Sequence, residues 1–192
     1  MHWLEPLEGK ELAARRLTNR AIWGVVLAFV ALAATYSVVT PLFEAPDELF
    51  HFALVRHLAE GGGLPVLDPA NQGPWQQEGG QPPLYYALTA LAVRWVPTDD
   101  LSEIARRNPY VDVGVIGASN NPNMVIHTPK ERWPYRGAVL AVHLARLLSV
   151  LFGALTVLMS YALGLEVLPR RPLVALGGAA LVAFNPMFLF MS

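Results

Sequence analysis

AIWGVVLAFVALAATYSVVTPLF, residues 21–43, holds no charged side chain. A bilayer core about 30 Å thick takes roughly 20 apolar residues as a helix, and this run is long enough. Two further uncharged runs meet the same requirement. One is 147–165, approached from Gly137 through an apolar stretch carrying His143 and Arg146; the other is 172–192. The sequence therefore predicts an all-α polytopic membrane protein with transmembrane helices over 21–43, 136–166 and 172–192. Apolar residues make up 54% of the chain and charged residues 15%, against roughly 25% charged in soluble domains. The net charge is −1, without a basic cluster, so no nucleic-acid partner is expected. The chain has no cysteine, which excludes disulfides and thiolate metal sites.

Outward from the first run, residues 1–20 read as a cytoplasmic amphipathic segment. They form either a surface helix or a solvated stretch anchored by charge. They are too long and too acidic for a signal-peptide n-region. Lys10, Arg15, Arg16 and Arg20 precede the first span, and Arg170 and Arg171 sit in the LPRRP turn before the third. The positive-inside rule puts both groups in the cytoplasm. The chain is then a multi-pass cell-membrane protein with its N-terminus inside, and residues 44–135 form a long extracytoplasmic loop. Within it, 83–96 spans only about 21 Å as a helix. It opens on Pro82 and Pro83 and carries Tyr85, Tyr86 and Trp95, which favour an interface. A crossing there would move Arg170 and Arg171 outside, so a helix on the outer surface is expected. The polar stretch 97–135, rich in turn signals, reads as an irregular external subdomain without a core of its own.

Immediately after the first span comes EAPDELFHFALVRHLAEGGG, 44–63. Pro46 suits a first helical position and the glycines end the helix, predicting a surface helix near 47–60. Asp47 and Glu48 fall in its first turn, where the helix dipole favours carboxylates. His51 lies one turn on. Two readings of the corner stand: carboxylates that cap the helix, or a fixed carboxylate poised as a base at the membrane surface. Carboxylate and imidazole also suit a divalent metal, although no complete ligand set is visible. Arg146, charged within a helix, is a functional candidate or a side chain that snorkels to the headgroups.

The uncharged first helix, the PDE…H corner, QPPLYYALTAL (81–91), ARLLSVLFGALTVLMSYALGLEVLP (145–169) and ALGGAALVAFNPMFLFMS (175–192), in that order, resemble the class C membrane glycosyltransferases. The resemblance is to the bacterial branch related to protein O-mannosyltransferases and lipid A aminoarabinose transferases, and it covers roughly 40–192. It implies transfer of a sugar from a polyprenyl-phosphate carrier to an acceptor on the outer face. It also implies a first external loop bearing two surface helices and an acidic catalytic base. Asp47 matches the base, with Glu48 beside it. His51, Gln81, Tyr85, His127, Arg132, His143 and Arg146 are candidates to bind the substrates, basic groups near the membrane boundary meeting the carrier phosphate. Members of the family have many more transmembrane helices, so the chain is expected to be the N-terminal part of such an enzyme. Its partners would be the carrier-linked donor, membrane lipids, and further membrane helices or subunits. The alternative is a non-catalytic membrane subunit built on the same scaffold. A transporter is disfavoured by the scarcity of intramembrane charge and the lack of broken helices repeated in two halves.

Overall fold

Uncharged runs fold as long helices where no proline interrupts them, and break where one does. The structure, a computed structural model, describes residues 9–68, 70, 72–111 and 123–191. Among these it is all-α, with seven α-helices and no strand. One isolated bridge pairs Arg107 with Val125. Two helices, α1 (Gly9–Val39) and α5 (Gly137–Val167), are long and apolar enough to cross a membrane. Helix α1 is continuous through the basic residues that precede the apolar run, so the described part of the expected surface segment belongs to the same helix. Residues 1–8 lie outside the described residues. Helix α5 passes His143 and Arg146 without a break.

Between them lie α2 (Glu48–Ala59), α3 (Pro83–Val93) and the short α4 (Leu101–Ile104); α6 (Pro172–Ala183) and α7 (Pro186–Met191) follow α5. The single helix expected over 172–192 is thus two. Pro186 has no N–H to give and disfavours a helical residue before it. Asn185 then starts α7, its Oδ1 accepting from the Phe188 N–H at 3.1 Å.

The chain divides into two units, 1–37 with 147–192, and 38–146. In the first, α1 buries Ile22, Val26, Phe29 and Ala33, spaced three and four apart as one helix face requires. Val150, Ala154, Val157 and Tyr161 of α5 and Ala175, Ala179 and Ala183 of α6 complete that core. Small residues allow close approach: a Cβ on Gly164 would stand 2.8 Å from that of Ala175. The outward faces are apolar too, with Trp23, Leu27, Leu155 and Leu181 exposed. The Tyr161 hydroxyl lies 2.7 Å from both Thr18 Oγ1 and Asn19 Oδ1, and Arg170 lies 3.9 Å from Glu11. The start of α1 therefore meets the end of α5, and the two helices run antiparallel.

The second unit has its own core. Phe52, Leu54 and Val55 of α2 pack with Tyr86, Ala90 and Val93 of α3 and with the first turns of α5. Leu101, Ile104 and Val125, from the polar stretch expected to lack a core, join it. The opposite face of α3 exposes Leu84, Leu88, Leu91 and Trp95. That is an apolar stripe at helical spacing, as an interfacial helix needs. Asp100 sets the start of α5. Its Oδ1 accepts from the Ala138 N–H at 2.8 Å, against Gly137 at φ 54°.

Candidate functional site at the acidic corner

Helix α1 ends at Val39 because Pro41 follows, leaving the last carbonyls of the helix without intrahelical partners. Arg146 of α5 supplies donors to two carbonyls just past that end. Nη1 donates to the Thr40 carbonyl at 2.7 Å and Nη2 to that of Pro41 at 3.1 Å. The same guanidinium grips Glu48 with two parallel bonds, Nε to Oε1 at 2.5 Å and Nη2 to Oε2 at 2.7 Å. This fork-on-fork geometry is the strong form of a charge pair. Glu48 Oε2 also accepts from the Phe43 N–H at 2.7 Å. Both side chains are largely withdrawn from solvent, at 11% and 15% exposure.

Glu44 holds the corner from its other side. Its carboxylate accepts from the Met124 and Val125 N–H groups at 2.9 and 3.2 Å and lies 3.0 Å from Nε2 of His127. The other ring nitrogen of His127 is 2.8 Å from Glu131, whose second oxygen accepts from the Thr128 N–H. The segment 123–131 is thereby clasped to residue 44.

Asp47 differs from both glutamates. Pro46 precedes the helix rather than opening it, and Asp47 is the N-cap of α2, in left-handed backbone at φ 57°, ψ 6°. Its carboxylate makes no capping bond, is exposed, and has no hydrogen-bond partner among the described residues. The capping explanation therefore does not apply to it. Phe43, at φ 61°, shares the left-handed conformation, which non-glycine residues adopt uncommonly. Backbone strain of this kind persists where surrounding contacts over-determine it, here the Arg146 and Glu44 networks.

The remaining predicted residues disperse. His51 turns to α3, its Nδ1 2.7 Å from the Tyr86 hydroxyl and 3.2 Å from Glu78 Oε2. Tyr85 sits half-buried with its ring edge-on to Tyr86 at 5.3 Å, and Gln81 is exposed beside them. His143 is buried and stacks on Tyr135 at 3.9 Å. Arg132 is exposed, and among the described residues its guanidinium has no partner. Arg146, expected to face a phosphate, spends its donors within the corner. His127 is likewise taken up, between two carboxylates. Asp47, Glu48 and His51 do not converge, and among the described residues no group of three or more His, Asp or Glu is arranged for a metal ion. Glu44, Glu78 and Tyr86 were not singled out from sequence. Glu44 and Glu78 offer no local pattern, since their partners lie up to 83 positions away; Tyr86 differs from Tyr85 only in which face of α3 it occupies. Comparison with family models, curated proteins and solved structures gives no match for this chain.

Proposed function

We propose that this chain provides the catalytic external loop of a membrane glycosyltransferase, which moves a sugar from a polyprenyl-phosphate carrier to an acceptor hydroxyl at the outer surface of the membrane. The observation that carries the reading is selective: of the neighbouring carboxylates Glu44, Asp47 and Glu48, Asp47 alone has no partner among the described residues. A general base must be held firmly and left free to take a proton. Residues on both sides of Asp47 are pinned, while its own carboxylate stays open.

In the proposed step the acceptor hydroxyl attacks the anomeric carbon as Asp47 accepts the hydroxyl proton. The glycosyl–oxygen bond to the carrier breaks, and the carrier phosphate departs already ionised. A second carboxylic acid to protonate the leaving group is then unnecessary, unlike in glycosidases. Arg132, whose guanidinium has no partner among the described residues, is a cation available to the phosphate. Arg146 acts one step back, by fixing the corner. The apolar outward faces of α1, α5 and α6 and the exposed stripe on α3 support a chain with three membrane-spanning segments and an interfacial helix. The direct assay supplies a radiolabelled polyprenyl-phosphate sugar to membranes containing the protein. Carrier-linked sugar is expected to be consumed and to appear in a new acceptor fraction. A rate equal to that of membranes lacking the protein would contradict the reading.

A further inference from the structure

A cavity of about 160 Å³ lies between α2, α3 and the segment that joins them, walled by Leu54, Leu58, Leu64 and Pro83, with Gln81 and Tyr86 as its polar groups. Its volume equals roughly five waters at about 30 Å³ each, enough for a ring or a short aliphatic stretch. Tyr86 is shared with a second cluster. Its hydroxyl lies 2.7 Å from Nδ1 of His51, and Oε2 of Glu78 lies 3.2 Å from the same nitrogen. The Glu78 side chain is only 5% exposed, and Oε2 has no aligned donor among the described residues. A buried acceptor left in that condition is costly. Burial, reinforced by Glu78 and Tyr85, pushes the Tyr86 phenol above its ordinary value, so it keeps its proton. His51 stays partly open to solvent, at 35% exposure.

The charge around the cleft selects its ligand. Two basic side chains of α2 are engaged elsewhere: Arg56 pairs with Glu60 at 2.7 Å, and the His57 ring packs on Trp75 at 4.3 Å. Among the described residues, none that lines the cleft carries a charge. Aliphatic walls beside a hydroxyl and an amide suit a neutral molecule with one apolar and one hydroxylated end. We propose that the cleft binds a neutral, hydroxyl-bearing amphiphile, its apolar part against Leu54, Leu58 and Leu64 and its hydroxyl on Gln81 and on Tyr86, whose own hydroxyl meets His51. Glu78, its carboxylate 3.2 Å from His51 Nδ1, is the positioning residue that acts on the His51–Tyr86 pair through its charge. These residues are different from Asp47, and the site stands whether or not Asp47 is the base of a transfer reaction.

The test uses the full chain in nanodiscs with ¹⁵N-labelled histidine, titrated with n-octyl β-D-glucopyranoside below its micellar concentration. Octyl phosphate and free glucose serve as comparisons. The glycoside is expected to shift the His51 imidazole resonances saturably, while octyl phosphate and glucose leave them in place at equal concentration. Glu78→Gln, which keeps size and shape, should change the His51 spectrum before any ligand is added and weaken binding about ten-fold or more. Leu64→Trp, at an exposed position of the wall, should block the cleft while leaving the unliganded His51 signal unchanged. The proposal is overturned if both variants retain helix content and bind with the wild-type Kd, or if octyl phosphate produces the same saturable shift.

Discussion

Glu48 and Arg146 are 98 positions apart in the chain and form one unit at the acidic corner. Removing either partner leaves a charge stranded in a site largely closed to water, and such losses cost about 3 kcal/mol or more. Arg146→Ala also strips donors from the Thr40 and Pro41 carbonyls. It should therefore lower thermal stability markedly, read by circular dichroism in nanodiscs. Arg146→Lys should recover only part, since an ammonium replaces the fork with a point charge. Equal stability of Arg146→Ala and wild type would return this residue to the snorkelling reading. From sequence, Arg146 was visible as an exceptional charge in an apolar helix, but its partner was not. Glu48 stood beside Asp47 in the same expected first turn, with no local sign of the arginine it would meet. The two are separated by their partners: Glu48 meets Arg146 of α5, and the Asp47 carboxylate meets none among the described residues.

At the scale of elements, the start of α5 rests on one close fit. Gly137 adopts φ 54°, and a Cβ there would come within 2.3 Å of the Asp100 carboxylate that caps the helix. Gly137→Ala combines left-handed strain with loss of the cap, together about 2–4 kcal/mol. Asp100→Ala loses the cap alone, about 1 kcal/mol. Denaturation midpoints in the order wild type, Asp100→Ala, Gly137→Ala would support this account, and an unperturbed Gly137→Ala would refute it. The long helices were legible because an uncharged run of this length has few alternatives. The division between α6 and α7 was written in Asn185–Pro186, a breaker pair masked by the apolar residues around it. The apolar outer face of α3 was legible from its leucines and aromatics. Its inner face was not, because its burial depends on α2 and α5. Leu101, Ile104 and Val125 are too scattered among polar residues to reveal a periodicity, so their core is visible only once the chain is folded.

For the molecule as a whole, catalysis by Asp47 at the outer surface needs the basic residues inside and the 44–135 loop outside. The contacts of α1 with the end of α5 agree, bringing Glu11 and Arg170 to the same end of the first unit. The chain has no cysteine, so single replacements report cleanly. Ser102→Cys should react with an impermeant maleimide applied to intact cells, and Lys10→Cys only after lysis. The reverse pattern would invert the topology and put Asp47 in the cytoplasm. The central claim is that Asp47 is the base of glycosyl transfer, and the rate of Asp47→Asn measures it most directly. This replacement keeps the side-chain shape and removes the basic oxygen. Sugar transfer from the polyprenyl-phosphate donor should fall by about 10²–10⁴-fold in protein of wild-type thermal stability and matched abundance. Wild-type turnover by Asp47→Asn would contradict the account.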